Sequence, residues 1–436
     1  MSFFSRLSKL HQAVRQFVPE ANALYRRQYA TGGTQSALDT LTKVAFFGAG
    51  GINFGSPEGP WNHSARLEKR LGNNLKVTAL IDPSSEHRQH VLKGKARSEF
   101  SSAYEGTKEY NNIENYLASI SEDEKPDVVI VGVPPAFHGT TKACSDLEMR
   151  LSRTLPHAAL FIEKPISSAH VQEVKDVGND LASRKSLVSV GYFMRYLKVV
   201  QKMKDLISQH NLTIMATVAR YNSCYTSIEK DHWWKKSISC TPIVEQGTHI
   251  CDLSRYFGGD VNVESVYAHA VEHWEKPGKL SKIPVNENLI PEDDRIPRIA
   301  SAVWKYENGA IGTITHGINL HGTKYSAELE VHADGWLFRM VNPYCEPKLY
   351  VRSPFSEEAE VFDYPQDDPY LTQMSALIDT VHQRDFVDNE IGEGTGRTGD
   401  ILSSWNDASK SYELTWAIRY ATELRETHNE LRKSIS

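Results

Sequence analysis

Three short segments of this 436-residue chain carry residues whose types and spacing suit hydride-transfer chemistry. A glycine-rich turn, GAGGIN, covers residues 48–53; Lys164 stands in the middle of an EKP tripeptide; and Glu245 and His249 are four residues apart. A glycine turn can hold a dinucleotide, a lysine can exchange a proton, and a carboxylate can orient an imidazole. Together the three segments predict a nicotinamide-dependent oxidoreductase.

The glycine turn follows an apolar run, VAFFG (44–48), which is where a dinucleotide-binding turn must lie. Gly48 permits the tight turn, and Gly50 lets the backbone approach a pyrophosphate. Asn53 stands where the pattern has Gly or Ala. An ordinary strand-to-helix turn is the alternative interpretation. The cofactor-binding residues predicted in the turn are Gly48, Ala49, Gly50, Gly51 and Ile52.

Asp82 ends the second apolar run, VTALID, at a position from which an acid binds the ribose hydroxyls of NAD. The first arginine after it is Arg88. An acid without a neighbouring arginine repels the 2′-phosphate of NADP, so the sequence favours NAD, with NADP as the alternative.

Lys164 follows an apolar run, and Pro165 restricts its backbone. A lysine fixed in this way could exchange a proton with a hydroxyl or a carbonyl. We expect Glu245 and His249 to share one face of a helix that begins with ICDLSRYF (250–257), so that the glutamate orients the imidazole. The alternatives are a solvated lysine at a strand end and an acid beside an unrelated histidine.

Aromatic and polar side chains in the middle of the chain suit a polyhydroxylated substrate. Aromatic faces stack on sugar rings, and arginine or lysine can hold hydroxyls or a carboxylate. Each such residue, taken singly, is equally well explained as part of the core or of a polar surface. The predicted substrate-binding residues are Arg195, Tyr196, Trp233, Trp234 and Asp252.

The pattern of apolar runs predicts an α/β fold with two domains. From 43 to 194, near-continuous apolar runs alternate with helical stretches, which is typical of a Rossmann domain with a doubly wound parallel sheet. From 195 to 436, longer alternating runs predict a large, mostly antiparallel sheet with one face covered by helices. Hairpin turns are expected at Asn308-Gly309 and Asp334-Gly335, and a closing helix at 400–432.

Composition excludes several classes of function. The net charge is −6, and the basic residues form no stripe of the kind that binds nucleic acid. No apolar run approaches the ~18 residues that span a bilayer. The five cysteines show no CxxC spacing and indicate reduced thiols in an intracellular protein. The HAVEH segment (269–273) matches a zinc pattern, but it alternates like a strand, so no metal is expected.

Residues 1–42 are predicted to be a mitochondrial presequence and a linker. Apolar residues recur at helical spacing beside a basic face, and Glu20 is the only acid in the first 30 residues. The segment Arg27-Gln28-Tyr29-Ala30 is similar to a presequence cleavage site. The expected location is the mitochondrial matrix; a helix packed on the domain in a cytoplasmic protein is the alternative.

In this order, the segments resemble the glucose–fructose oxidoreductase/inositol dehydrogenase family. The similar motifs are FGAGGI, VPPAFH (133–138), EKP, VGYFMRY (190–196), the block of an acid, His249 and Asp252, and the late DASKSYELTWAI (407–418). The resemblance implies a Rossmann domain, an open-faced α/β domain whose sheet often mediates oligomerisation, and a homo-oligomer formed through that sheet.

The resemblance also implies roles for individual residues. Lys164 and His249 match the family's proton-handling pair, whereas Glu245 stands where the family usually has aspartate. The cofactor-binding residues implied beyond the glycine turn are Asp82, Pro134, Pro135, His138, Glu163 and Lys164. The expected substrate is a sugar, a polyol or a related small molecule with a reacting secondary hydroxyl or carbonyl. A non-catalytic dinucleotide-binding regulator and an NAD-assisted glycosidase are the alternatives.

Overall fold

The first half of the chain folds around a six-stranded sheet in which all neighbouring strands are parallel. The computed structural model describes residues 40–56, 59–384 and 400–435. The strand order is β3-β2-β1-β4-β5-β6, so the direction of winding reverses between β1 and β4. The strands are β1 (Thr42–Phe47), β2 (Leu75–Ile81), β3 (Lys108–Tyr110), β4 (Val128–Val131), β5 (Ala159–Ile162) and β6 (Val188–Val190).

The Rossmann prediction for this part is confirmed, because the apolar runs form the central strands. The residues of β4 and β5 are all buried, as expected for a parallel sheet covered on both faces. The helices of this half are α1 (Gly51–Phe54), α2 (His63–Leu71), α3 (Ser85–Lys95), α4 (Ser101–Tyr104), α5 (Ile113–Ser119), α6 (Leu147–Thr154) and α7 (Val171–Ser183). Strand β3 was not predicted, since its three residues, KEY, are polar and lie at the sheet edge.

The second half contains an eight-stranded sheet with the order β14-β13-β12-β11-β7-β10-β9-β8. Only β7 and β10 pair in parallel, which confirms the prediction of a mostly antiparallel sheet. Turns at Asn308-Gly309 and Asp334-Gly335 join β9 to β10 and β11 to β12, as predicted. The strands are β7 (Ile214–Cys224), β8 (Val261–Val271), β9 (Ile299–Tyr306), β10 (Ile311–Leu320), β11 (Ser326–Ala333), β12 (Trp336–Val341), β13 (Lys348–Ser353) and β14 (Ser356–Asp363).

The helices of the second half are α8 (Lys198–Gln209), α9 (Lys236–Ser239), α10 (Pro242–Glu245), α11 (Thr248–Gly258), α12 (Pro369–Arg384) and α13 (Trp405–Ile435). Of these, α8, α10, α11 and α13 lie against one face of the large sheet. Helix α11 packs centrally, and its Cys251 and Leu253 share one apolar cluster with Ile314 and Leu329 of the sheet. The opposite face carries exposed apolar side chains such as Val218 and Val303.

Helix α12 returns from the second half of the chain to the Rossmann sheet. Its Met374 and Leu377 belong to the same apolar cluster as Phe46 of β1 and Phe161 of β5. The Gln373 amide donates to the Val190 carbonyl at the end of β6. A division of the chain at residue 194 therefore does not capture all of the packing around the first sheet. The predicted presequence lies outside the described residues.

Candidate active site

The glycine turn lies at the carboxyl end of β1, beside the point where the strand order reverses. Gly48 has a φ of +94°, and a Cβ at this position would lie 2.6 Å from the Gly132 carbonyl oxygen after β4. Asn53 fills the remaining space, because its amide donates to the carbonyls of Phe47 and Gly48. The asparagine in the third glycine position thus fixes the end of the strand.

The backbone at Gly50 is open on the side where a side chain would stand. A Cβ built on Gly50 would meet no described atom within 4 Å. Beside it, Asp82 follows β2, and its carboxylate accepts from the amides of Ala49 and Ser84, each at 2.8 Å. The turn and the acid are therefore joined, and these residues would suit a dinucleotide, whose pyrophosphate the glycine turn would hold and whose ribose Asp82 would bind.

Arg88 lies closer to Asp82 than its place in the sequence suggested. Its guanidinium donates to the Asp82 carbonyl, and its Nε lies 3.1 Å from Glu109 Oε2. Asp82 therefore has a neighbouring arginine, contrary to the expectation, and the guanidinium of that arginine is shared between the Asp82 carbonyl and the Glu109 carboxylate.

Lys164 follows β5, and Glu163 before it contacts His63, which the sequence did not reveal. Glu163 Oε1 lies 2.7 Å from Nε2 of His63, the first residue of α2, and Glu163 Oε2 accepts from the Lys164 amide at 3.1 Å. His63 is the first residue of α2, and nothing in the sequence marked it, because a lone histidine has no recognisable spacing.

The Lys164 ammonium points to the second half of the chain. Its Nζ lies 3.6 Å from Glu245 Oε1 and 3.3 Å from the Glu245 carbonyl oxygen. Glu245 Oε2 in turn accepts from Trp233 Nε1 at 3.2 Å. The structure thus brings together two of the predicted catalytic residues and one predicted substrate-binding residue, Trp233.

His249 lies beside this group in a largely apolar setting. Its ring contacts Phe193 at a centroid distance of 5.1 Å and Tyr192 at 6.0 Å. Burial, together with the charge of nearby Lys164, lowers the pKa of His249 well below its ordinary value. The imidazole is therefore neutral at neutral pH.

The expected helical pairing of Glu245 and His249 is wrong. Glu245 ends α10, His249 lies in the first turn of α11, and the chain turns between them at Gln246-Gly247. Because two helices replace one, the four-residue spacing does not put the side chains on a common face. The contacts of Glu245 are with Lys164 and Trp233, so its role as the orienting partner of the histidine is not supported.

Most of the predicted substrate-binding residues are buried in structural contacts. Arg195 donates to both carboxylate oxygens of Asp252, at 2.7 and 2.6 Å, and the two side chains are 4% and 1% exposed. Ser411 of α13 also donates to Asp252, and the Tyr196 hydroxyl accepts from the Leu402 amide. These contacts tie α11 to the closing segment, so we correct Arg195, Tyr196 and Asp252 to structural residues.

Trp234 is likewise a core residue, since it is fully buried and donates to the Ile228 carbonyl.

His138 is also buried, and its Nδ1 lies 2.7 Å from Glu148 Oε1. Its Nε2 has no hydrogen-bond partner among the described residues. Nearby, Pro134 is exposed and Pro135 half-buried, at the turn after β4. This turn follows Gly132, whose carbonyl oxygen lies beside Gly48 of the glycine turn.

Four tyrosines form a group that reaches His249 through Tyr344, and this grouping was not predicted from the sequence. They come from β7, from the segment before β11, from the turn between β12 and β13, and from the start of α12. Nothing in their spacing marks them as a group, because only the tertiary fold brings them together. They are Tyr221, Tyr325, Tyr344 and Tyr370.

Comparison with known proteins identifies relatives over most of the chain. Residues 42–192 match a family described as "Oxidoreductase family, NAD-binding Rossmann fold", and residues 195–336 match an "oxidoreductase C terminal domain". Two uncharacterized proteins of Schizosaccharomyces pombe are similar. One is 48% identical over 87% of this chain and 91% of the relative, and the other is 44% identical over 88% and 97%.

Solved structures share the fold at low sequence identity. A dehydrogenase from Chromobacterium violaceum has a TM-score of 0.65 at 13% identity, over 91% of this chain and 99% of its own. An oxidoreductase from Agrobacterium radiobacter, solved with NAD+, L-tartaric acid and magnesium, has a TM-score of 0.61 at 14% identity, over 88% and 97%. A 3-ketoreductase from Actinomadura kijaniata, solved with NADP, has a TM-score of 0.62 at 14% identity, over 87% and 98%.

Proposed function

Because the chain belongs to the glucose–fructose oxidoreductase/inositol dehydrogenase family and is an oxidoreductase with an NAD-binding Rossmann domain, we propose that it oxidises a secondary hydroxyl of a sugar or polyol, or reduces the corresponding carbonyl. The observation that carries the proposal is the meeting of Lys164 from the Rossmann half with Glu245 from the second half. NAD is the proposed cofactor, since Asp82 lies where it would meet the ribose. The bound nicotinamide supplies the hydride acceptor or donor.

Lys164 is the proposed proton-exchanging residue. Its ammonium is fixed by the Glu245 carboxylate and carbonyl, while Glu163 and His63 hold the backbone before it. In the oxidation direction the neutral amine form of Lys164 accepts the hydroxyl proton and becomes the ammonium, and in reduction the ammonium gives a proton to the carbonyl oxygen and becomes the amine.

His249 is proposed to act as a neutral hydrogen-bonding partner of the same oxygen. A neutral imidazole can donate a hydrogen bond to that oxygen, or accept one from its hydroxyl, without changing its own protonation state. Its aromatic neighbours Phe193 and Tyr344 limit the access of water, which strengthens the polar contacts that remain in the cleft.

The proposal is tested with a panel of sugars, polyols and uronates, assayed with NAD and NADP by the absorbance of the reduced cofactor. Steady formation of NADH with a sugar or polyol is expected. Cleavage of a glycoside without accumulation of NADH would favour the NAD-assisted glycosidase. Dinucleotide binding without turnover of any compound would favour the non-catalytic regulator.

We further propose that residues 43–194 bind the dinucleotide and that residues 195–436 bind the substrate and form a homo-oligomer. The outer face of the large sheet supports the second point. In one register row, Tyr267, Val303, Thr313 and Val218 lie side by side across β8, β9, β10 and β7. Tyr267 is 60% exposed, and Val303 and Val218 are 42% and 41% exposed, an apolar row that a second copy would cover.

We propose a mitochondrial location on the basis of the basic, acid-poor segment over residues 1–30. Within the described part of the chain, no helix is both long and apolar enough to cross a membrane. N-terminal sequencing of the protein from its native cells should begin within a few residues of Ala30. An intact Met1 or Ser2 would contradict the import proposal.

A further inference from the structure

The last strand of the large sheet, β14, is exposed on both faces and along one edge. It ends the strand order, so within the described residues only β13 pairs with it. Its side chains are exposed except that of Phe362, which is half-buried. By contrast, β9, β11 and β12 bury every second side chain. The free edge of β14 therefore presents backbone groups with which another extended segment can pair.

A groove with a volume of about 530 Å³ opens between β14 and the end of α8. We refer to it as the β14 groove; its lining includes Leu206, His210, Trp336, Phe355, Glu358 and Glu360. One wall is aromatic, because the centroid of the Trp336 ring lies 4.6 Å from that of His210 and 6.0 Å from that of Phe355. Phe355, in the turn between β13 and β14, is 77% exposed. A ligand can therefore reach this wall from solvent.

The other wall of the β14 groove is acidic. It contains Glu358 and Glu360, and in the described part of the chain no lysine or arginine lines the groove. The ion pair that β14 forms among the described residues lies at its far end, where Lys348 Nζ is 3.9 Å from Asp363 Oδ2. The groove thus combines negative charge with aromatic faces, and this combination binds organic cations.

The two faces of β14 differ in character. Glu360 pairs in register with Val351, which is buried on the helix side of the sheet, so the groove-lining acids lie on that side. Val361 pairs with Tyr350 and lies on the outer face, as does Ala359 two residues before it. Successive side chains of a segment added to this edge would alternate between the two faces. The segment that fits therefore alternates basic and apolar residues.

A second copy of β14 is a poor occupant of this edge. Antiparallel pairing of two such strands about Ala359 would put Glu358 of one copy opposite Glu360 of the other, and like charges directly opposite each other are destabilising. Acids on an edge strand can serve to prevent such pairing. That role requires only charge, and it does not account for the exposed aromatic wall beside the acids.

We propose that β14 is a docking strand for an extended basic segment of a partner protein. The segment pairs with the free edge and places lysine or arginine side chains in the β14 groove. Their cationic groups meet Glu358, Glu360 and the face of Phe355, while the alternate, apolar side chains cover Val361. This surface includes no residue of the candidate active site, so the proposal stands apart from the proposed function.

The probe for this surface is a fluorescein-labelled synthetic peptide that alternates lysine and valine, KVKVKVK. It is titrated with the full-length enzyme and followed by fluorescence anisotropy. Two peptides of equal length are controls: KKVVVKK keeps the composition without the alternation, and EVEVEVE reverses the charge. KVKVKVK should bind at least about tenfold more tightly than either control. Its binding should also slow the hydrogen exchange of the amides of β14, since some of them become hydrogen-bonded to the peptide.

Variants connect the binding to the β14 groove. Glu358→Lys combined with Glu360→Lys should weaken the binding of KVKVKVK at least about tenfold, and Phe355→Ala should weaken it about three- to tenfold. The matched control is Glu99→Lys combined with Glu105→Lys, which changes the net charge equally at two exposed positions of the Rossmann half. Circular dichroism and thermal unfolding report whether each variant is folded.

Equal affinities for KVKVKVK and KKVVVKK, or an unchanged affinity in the folded variant of Glu358 and Glu360, would overturn the proposal. A smaller mass of that variant in light scattering, without peptide, would overturn it in favour of a second copy at this edge. The basic residues near the start of the chain are tested by Arg6→Glu, Lys9→Glu and Arg15→Glu together. If this change raises the affinity for KVKVKVK, the chain's own segment occupies the groove, and the partner proposal is wrong.

Discussion

Lys164 Nζ and Glu245 Oε1 lie 3.6 Å apart, and this contact joins the Rossmann half of the chain to the half that holds the large sheet. Both side chains are partly shielded, with 18% and 26% of their surfaces exposed. The pair is therefore close enough to hold the ammonium in place, and neither side chain is fully buried. The acid that the sequence assigned to His249 instead contacts the lysine.

Removing the lysine should abolish most of the chemistry and leave cofactor binding intact. Proton transfer by a positioned group contributes about 10²–10⁴ in rate, so Lys164→Met should lower kcat by about that factor. His249→Asn should lower kcat by a similar or smaller factor. Steady-state assays give kcat, and fluorescence titration with NADH gives the affinity for the cofactor. A Lys164→Met enzyme within about threefold of the parental kcat would remove the lysine from the mechanism.

Glu245→Gln should have a milder effect than loss of the lysine. Glutamine keeps the length of the side chain and an acceptor near Lys164 and Trp233, but it loses the charge that fixes the ammonium. We expect kcat to fall by about tenfold or less, with NADH affinity unchanged. Glu245→Asp is the matched variant, because it keeps the charge and shortens the reach. A Glu245→Gln loss as large as that of Lys164→Met would show that the carboxylate itself handles the proton.

The cofactor assignment predicts a selective effect at Gly50. A Cβ on Gly50 would meet no described atom within 4 Å, so Gly50→Val should fold. The branched side chain should nevertheless weaken the binding of NADH by about 2–4 kcal/mol, because it would stand where the pyrophosphate must approach the backbone. Gly94→Ala in α3 is the control, because its added methyl group also meets no atom within 4 Å but lies away from the turn. Equal NADH affinity in Gly50→Val and the parent would refute the fingerprint. A tenfold higher affinity for NADPH than for NADH would show that Asp82 does not bind the ribose hydroxyls.

The apolar runs were sufficient to predict the Rossmann sheet, because strands buried on both faces leave a continuous pattern, as β4 and β5 do. The turn residues Asn308-Gly309 and Asp334-Gly335 predicted two hairpins for the same local reason. Strand β3 was not predicted, because its three residues are polar and it forms only by pairing with β2 at the edge of the sheet, which is a tertiary effect.

The site was predictable only where a motif is local. Gly48, Asp82 and Lys164 are fixed by strand ends, whereas the contact between His63 and Glu163 spans 100 residues and has no signature in the sequence. Arg195 and Asp252 were misassigned because charged residues beside a motif are usually exposed. Here their bidentate pair is buried, and no sequence pattern reports such pairing.

If the outer face of the large sheet forms the contact between subunits, charges placed in its apolar row should dissociate the oligomer. Val218→Lys together with Val303→Glu would put charges into the apolar row, while the inner face of each strand stays unchanged. The double variant should run at about half or less of the parental mass in light scattering, since buried charges at an interface are costly. Glu86→Lys on exposed α3 is the control. An unchanged mass in the double variant would exclude this face as the contact.

The stability of the protein should depend on pH through His316. This histidine is buried in β10, its ring lies 4.9 Å from the Tyr221 ring, and burial lowers its pKa from 6.5 to about 3. Because the pKa is lowered in the folded protein, His316 binds a proton in the unfolded chain at pH values at which it stays neutral in the folded chain. The contribution of this group is therefore intact above pH ~6.5 and is lost progressively as the pH falls from there towards about 3.

The expected loss is about 1.4 kcal/mol in the free energy of unfolding for each pH unit below the unfolded value, or about 2 kcal/mol at pH ~5. His316→Phe keeps a planar ring and has no proton to bind, so its free energy of unfolding should fall less steeply below pH ~6.5. Urea denaturation of parent and variant between pH ~8 and pH ~5 is the measurement. Above pH ~7 the two proteins should differ by a constant amount, which serves as the internal control. Parallel curves down to pH ~5 would show that the buried imidazole is not the source of the acid sensitivity.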